Sequence, residues 1–365
     1  MRHTQTAFFY FFSVLLSMNI FANIEMLKLD PGFKISIFAS DLDQPRQMIE
    51  SKNGTIFIGE RSGQIIALLD SDGNGQADSK RVIADDLTYS TGVSIFEGDL
   101  YFSEISKIWK IQDIENWLQK NSSGFPEKIL VTQDLPEDKW HGWKWLQHNA
   151  EGDIYTNVGA PCNICISENP QYASIIKLSD DNWEYVARGV RNSVGFDFHP
   201  ETSKLYFGDN GRDWLGDDSP SCELNRVDED GLFYGFPYQH ALNVKDPEYG
   251  DLKSGYDYVD PILELGAHVA PTGLAFYDGE MFPKKYKNNI FITLHGSWNR
   301  SKKVGYKVIR VVLDGEGDVV DTKDFISGWL DGEKVLGRPA APLIISDGSL
   351  LISDDKANVI YRITY

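Results

Sequence analysis

Positive charge is scarce in this sequence. Lys and Arg number 35 against 54 Asp and Glu, giving a formal net charge of −19 and a pI near 4.7. Nucleic acid is excluded as a partner for such a surface, because phosphate binding needs a basic footprint. Solubility and cation binding are the easier consequences of that charge. Cysteine is also rare: Cys162, Cys165 and Cys222 are the complete set. A zinc site wants four ligands, and no matching His pair accompanies these three. The Cys162/Cys165 spacing would suit haem attachment, but Ile166 stands where that chemistry needs His, so covalent haem is excluded. An oxidising compartment permits a Cys162–Cys165 bridge, with Cys222 left as a buried thiol. Helical periodicity is nearly absent, with 111–120 as one short candidate, read as a loop excursion. Beyond the N-terminus no stretch is long and apolar enough to cross a bilayer. No phosphate-binding loop, dinucleotide fingerprint or nucleophile elbow is present, and no Ser-His-Asp triad can be read.

The chain does contain enough apolar sequence for a large core. Its 365 residues are 42% hydrophobic and 13% aromatic, as in an ordinary globular protein. Arg2 and His3 precede an apolar run from Ala7 to Ala22 that is short for a membrane span. Residues 1–22 are therefore read as a signal peptide and 23–365 as one domain, placing the mature chain in the periplasm or outside the cell.

One short pattern, a polar turn followed by β-forming residues, occurs six times. The copies begin at Gly54, Gly98, Gly152, Ser203, Asn288 and Gly348. They are spaced by about 45–60 residues, with one longer gap before the fifth. A second, alternating pattern follows each: Ile65–Leu68, Ile108–Ile111, Ile175–Leu178, Leu224–Val227, Val308–Val311 and Ile360–Ile363. Two strands per repeat are visible and the spacing leaves room for two more. Six such units predict an all-β fold, a six-bladed β-propeller. Phe33–Phe38 is expected to complete the blade whose other strands end at Tyr365.

Polar residues next to these strands are the candidates for chemistry. His141 lies in His141-Gly142-Trp143-Lys144-Trp145, as a core histidine or as a base at an aromatic pocket. Arg191 and Asn192, flanked by Gly189 and Gly195, suit a planar anionic ligand or a surface turn. Gly211, Arg212, Asp213 and Asp217 lie in an oxygen-rich loop, able to bind calcium or simply to be solvated. His268, the run Trp298-Asn299-Arg300 with Lys302, and Arg338 occupy comparable places in later repeats, which suggests one shared pocket. Separately, Asp70, Asp72, Asn74, Gln76 and Asp78 resemble the first nine positions of an EF-hand calcium loop. Arg81 replaces the closing Glu, so the expectation is a structural calcium site or a solvated loop.

The motifs taken together resemble the soluble pyrroloquinoline quinone (PQQ)-dependent sugar dehydrogenases, and within them the L-sorbosone dehydrogenase branch. The resemblance covers nearly the whole mature chain. It is carried by Arg188–Arg212, Tyr234-Gly235-Phe236-Pro237, His295–Arg300 with Gly305-Tyr306-Lys307, and Gly337-Arg338-Pro339 through Asp354-Asp355. It implies a six-bladed propeller whose cofactor lies flat over the channel and takes hydride from a sugar carbon. His141 then matches the catalytic base, and Arg191 and Asn192 match the pair beside the quinone. Backbone carbonyls at Gly211 and Arg212 match the cofactor Ca2+ site. Arg300 or Lys302, and Arg338, match basic cofactor contacts. In the glucose-oxidising relatives a downstream Asp orients the His; the same register here falls on Ala160. The Gly loop is also longer here. Two other readings stand beside this one: a calcium-dependent lactonase, which needs a carboxylate-rich channel, and a non-enzymatic binding propeller.

Overall fold

The turn that opens each repeat has a shared backbone requirement. Gly54, Gly98, Gly152, Ser203, Asn288 and Gly348 are all left-handed, with φ of 84°, 90°, 95°, 56°, 58° and 84°. Glycine adopts this conformation without penalty, and Asn tolerates it better than most side chains. Each turn leads into a short strand of β-forming residues and forces it back along the strand before it. In the computed structural model, which describes residues 24–365 apart from 121–122, 180–181 and 253–254, this yields the six antiparallel blades of a β-propeller. The expected signal segment, 1–22, lies outside the described residues.

From the channel outward, blade 1 is Pro45–Glu50, Ile56–Glu60, Gln64–Leu69 and Ser79–Ala84. Blade 2 is Val93–Phe96, Asp99–Ser103, Ile108–Ile111 and Ile129–Thr132. Blade 3 is Leu146–His148, Ile154–Val158, Ser174–Ser179 and Asn182–Arg188. Blade 4 is Phe196–Phe198, Leu205–Asp209, Ser221–Arg226 and Leu263–Ala267. Blade 5 is Pro271–Phe276, Ile290–Leu294, Lys307–Leu313 and Val319–Ser327. Blade 6 is Pro339–Ile344, Leu350–Asp354, Val359–Thr364 and, from the other end of the chain, Lys34–Ala39. The two sequence patterns are thus the second and third strands. The long gap before the fifth copy is an excursion between the last two strands of blade 4. Within it, Leu232–Phe233 adds a parallel strand to the edge of blade 3. The 111–120 segment contains a short helix, Ile114–Gln119, which buries Ile114.

The core is divided among the blade interfaces. Phe57, Val93 and Phe102 pack between blades 1 and 2, and Ile108, Leu146 and Ile154 between 2 and 3. Trp145, Tyr155, Phe196 and Phe207 fill the next interface, followed by Tyr206, Leu274 and Ile292. Tyr277, Phe291, Trp329 and Tyr361 join blades 5 and 6. Phe38, Ile58, Leu351 and Ile360 join blade 6 to blade 1. Near the axis the inner strands come too close for side chains at some positions. A Cβ on Gly273 would lie 2.6 Å from Pro342 Cδ and 2.7 Å from Ala341 Cα.

Closure pairs Lys34 with Thr364 and Ile37 with Tyr361. Just before this strand, Phe33 inserts its ring edge-on among Phe282, Phe325, Tyr365 and Tyr286 at centroid distances of 4.7, 4.9, 5.0 and 5.1 Å. Phe33→Ala is expected to lower unfolding stability by about 2–3 kcal/mol, the worth of one aromatic side chain and its ring contacts. Chemical denaturation reads this directly. Phe125→Ala, at a residue 53% exposed, should change it by less than about 0.5 kcal/mol.

Candidate active site at one end of the channel

Antiparallel alternation brings the start of each inner strand and the end of each second strand to the same end of the propeller. The residues just past the second strands therefore converge: Arg61, Ala160, Asn210, His295 and Asp355. Three inner strands start at proline, Pro45, Pro271 and Pro339, and each has a bulge directly after it. A bulge re-aims the residues it contains. Arg46 and Thr272 are thereby turned into a cavity of about 360 Å³ at the channel mouth, a size suited to a small-molecule ligand.

His141 enters this cavity from the connection between blades 2 and 3, with a left-handed φ of 52°. Its Nδ1 lies 2.9 Å from the carbonyl oxygen of Ala160. A carbonyl only accepts, so Nδ1 carries the proton and Nε2 keeps a lone pair. Burial, reinforced by the charge of Arg191 and opposed by the Ala160 carbonyl, pushes the imidazole pKa down to about 3. The close approach of His141 to the blade 3 strand end depends on Gly159, where a Cβ would sit 2.6 Å from His141 Cβ.

Arg191 and Asn192 donate their backbone N–H groups to the carboxylate of Asp209, at 2.8 and 2.7 Å. The Arg191 guanidinium is gripped from the opposite side by Asn163. Nε donates to the Asn163 carbonyl at 2.9 Å and Nη2 to its Oδ1 at 2.8 Å. Asn163 sits inside a closed Cys162–Cys165 disulfide with a Cα–Cα distance of 6.1 Å. The same side chain holds Asp213, accepting its N–H at 2.8 Å and donating to its carbonyl at 3.0 Å. Asn192 lines the cavity, and its Oδ1 is buried without a hydrogen-bond partner.

The cavity wall is cationic although the whole chain is strongly acidic. Arg46, Arg61, Lys139, Arg191 and Arg338 line it, and Asp213 is its one carboxylate among the described residues. Arg46 and Arg61 lie over the Trp143 ring at 4.6 and 4.5 Å. Arg338 is oriented by the carbonyls of His295 and Gly296, at 3.1 and 2.8 Å. Beneath them Asp355 bridges Arg46 at 2.7 Å and His295 Nε2 at 2.8 Å. Burial alone would raise the Asp355 carboxyl, but the charge of Arg46 and the contacts from His295 outweigh it and hold it below the usual carboxylate range. Burial lowers His295 to about 4. Exposed tryptophans rim the mouth: Trp140 and Trp298 line it, at 51% and 65% exposure. Trp214 meets Trp298 edge-on at 5.6 Å.

Of the residues singled out from sequence, His141, Arg191, Asn192, Gly211, Asp213, His268, Trp298 and Arg338 line this cavity. Asn299 adjoins it through Asp213, at 3.4 Å. Arg300 turns to Asp218 at 2.9 Å and to the Asp217 carbonyl. Asp217 accepts the N–H of Ser301 at 3.0 Å. Lys302 is exposed and away from the lining. The Arg212 side chain points away, into a buried pair with Asp246 at 2.5 Å. Arg46, Arg61 and Asn163 were missed. The signal for Arg46 was available, since Pro45-Arg46 mirrors Arg338-Pro339 at the start of an inner strand.

The EF-hand-like loop lies on the hairpin joining the third and outer strands of blade 1, at the opposite end of the propeller. Asp70, Asp72 and Asp78 converge there. Asn74 turns its amide onto Asp72 at 2.9 Å, and Gln76 donates its N–H to Asn74 Oδ1 at 2.9 Å. Asp314, Glu316 and Asp318 cluster on the matching hairpin of blade 5, a pattern not singled out from the sequence.

The chain belongs to the TrAA12-like family, whose model matches residues 27–249 and 238–328. A Borreliella burgdorferi protein of uncharacterised function is 35% identical over 352 residues, covering 93% of this chain and 91% of its own. Among solved structures, the fold is similar to the PQQ domain of Coprinopsis cinerea pyranose dehydrogenase in its holo form, with a TM-score of 0.76 and 18% identity over 93% of this chain and 97% of that one. It is also similar to a calcium structure of a Trichoderma reesei family AA12 enzyme, with a TM-score of 0.76 and 18% identity over 93% and 96%. The PQQ-bound aldose sugar dehydrogenase of Streptomyces coelicolor matches at a TM-score of 0.66 and 15% identity, over 92% and 99%.

The His141 environment makes a direct prediction. Burial and the nearby Arg191 charge disfavour the imidazolium, so the neutral ring should persist far below the ordinary value of 6.5. In a 15N NMR titration of the apo-protein, assigned with His141→Asn, the ring should stay neutral and Nδ1-protonated at pH 5. Titration near 6.5 would show that the ring is solvated and free of Ala160.

Proposed function

We propose that the chain is a PQQ- and calcium-dependent oxidoreductase that oxidises an aldose or related sugar, with a sorbosone-like compound as one candidate substrate. The observation that carries this reading is the concentration of arginines around one neutral histidine lone pair, in a chain of net charge −19. A tricarboxylate quinone needs several cations, and Arg61 and Arg338 have no carboxylate within ion-pair distance among the described residues. Asn192, with its unpartnered Oδ1, lines the same cavity. The carbonyls of Gly211 and Arg212, with Asp213 beside them, would hold Ca2+ through hard oxygen donors. Asn299 adjoins this end of the cavity, whereas Arg300, paired with Asp218, and the exposed Lys302 stand outside its lining.

When bound, the quinone would supply the hydride acceptor, polarised by calcium. The protein's own work is acid–base and positional. His141 Nε2 takes the hydroxyl proton as the sugar C–H bond breaks. Its orientation comes from Nδ1–H donating to Ala160. The exposed faces of Trp140 and Trp298 offer apolar surface to the C–H face of a sugar. The lactonase reading needs several carboxylates at the metal, and only Asp213 lines the cavity among the described residues. The closed disulfide supports a periplasmic or secreted setting. No helix among the described residues is long and apolar enough to cross a membrane.

Reconstitution tests the proposal. Purified apo-protein given PQQ and Ca2+ should reduce an artificial dye with an aldose, and omission of either should abolish the signal. His141→Ala should lower kcat by about 10²–10⁴-fold while PQQ still quenches tryptophan fluorescence. Failure of PQQ to bind would sink the dehydrogenase reading.

A further inference from the structure

Residues 160–165 follow the second strand of blade 3 and belong to no strand or helix. No ladder holds their backbone, yet they contact His141, Arg191 and Asp213 of the candidate site. The Ala160 carbonyl orients His141 at 2.9 Å, and its N–H donates to the Arg191 carbonyl at 2.8 Å. Asn163 uses its carbonyl and both ends of its amide. It takes Arg191 Nε and Nη2 at 2.9 and 2.8 Å, and it pairs with the N–H and carbonyl of Asp213 at 2.8 and 3.0 Å. The side chain thus ties the cofactor-side arginine to the loop of Gly211 and Asp213. The Cys162–Cys165 bond closes a ring around it, and both cysteines are only half-buried.

We propose that the Cys162–Cys165 loop is a redox-set clamp on this site, with Asn163 as its positioning residue. The inference rests on reading the cavity as a cofactor site. A dithiol reductant attacks the S–S bond; two electrons and two protons pass to Cys162 and Cys165 as thiols, and the dithiol closes to its own disulfide. Without the cross-link the loop regains conformational freedom. Asn163 then releases Arg191 and Asp213, while the blades, held by their own ladders and interface cores, persist. An oxidising compartment keeps the site assembled; a reducing one loosens it before any unfolding.

The test is amide hydrogen exchange on the apo-protein, with three samples: intact chain, chain reduced by a dithiol and alkylated at two thiols as counted by mass spectrometry, and Cys162→Ser/Cys165→Ser. Exchange over 190–193 and 209–213 should rise by about tenfold or more in the two uncross-linked forms, with the blade 1, 2 and 6 strands unchanged. Asn163→Ala should reproduce this with the disulfide intact. Asn163→Asp, which keeps an acceptor for Arg191 and for the Asp213 N–H, should restore part of the protection. PQQ affinity, read by tryptophan quenching, should weaken by about tenfold or more in the uncross-linked forms, the usual effect of losing an outer-shell partner. Unchanged exchange at both segments overturns the clamp, and so does a uniform rise across all blades, which marks a general staple. If intact protein binds no PQQ while exchange responds locally, the clamp stands and the cofactor reading falls. If PQQ binds and exchange is unmoved, the reverse holds.

Discussion

Ring closure is the constraint from which the rest of this structure follows. The first long strand, Lys34–Ala39, is hydrogen-bonded along Val359–Thr364, so the two ends of the chain share one sheet. Only with that sheet complete does blade 6 sit against blade 1. Only then does Asp355 reach Arg46 on one side and His295 on the other. That buried carboxylate joins blades 5, 6 and 1 at the rim of the channel. It also neutralises part of a charge cluster that would otherwise be costly to bury. Each blade alone would leave two apolar faces exposed. Closure converts all of them into interface core and leaves the strand ends as the free surface.

The electrostatics of the molecule have two layers. The outer surface carries most of the carboxylates. The cavity concentrates arginines: Arg338 is oriented by backbone carbonyls, Arg46 by Asp355 and Arg191 by Asn163, while Arg61 lies over the Trp143 ring. Carbonyl dipoles hold a guanidinium in place without cancelling its charge, so Arg338 remains available to an anion. The same logic explains His141. A carboxylate partner would stabilise its protonated form; the Ala160 carbonyl fixes the tautomer, and burial with the Arg191 charge keeps the ring neutral. Ala160, whose side chain has no polar atom, thus supplies the orienting acceptor from its backbone.

The TrAA12-like family match and the similarity to the Coprinopsis, Trichoderma and Streptomyces structures agree with the propeller fold. Two features of the chain lie outside its six-fold repeat. The disulfide-closed loop around Asn163 is one, and the edge strand that the blade 4 excursion adds to blade 3 is another. Both lie on the blade 3 side of the cavity. Arg191 is held both by Asn163 in the non-repeating loop and by Asp209 and Asn210 at the end of a repeat strand.

Sequence by itself determined the repeat. A left-handed turn residue followed by β-branched and aromatic residues dictates the second strand wherever it occurs, and alternation dictates the third, because both are local properties of the backbone and of one sheet face. It also pointed to His141, Arg191, Asn192 and Arg338, since each puts a polar group in the segment that leads into an inner strand. Tertiary structure alone decided which of the other charges meet them. Arg46 and Arg61 belong to the first blade and Asp355 to the last, and they come together only through closure. Arg212 and Arg300, equally basic in sequence, are drawn off to Asp246 and Asp218. The orienting acceptor of His141 is a main-chain oxygen, and a backbone carbonyl has no letter in a sequence; its role exists only where the fold places it.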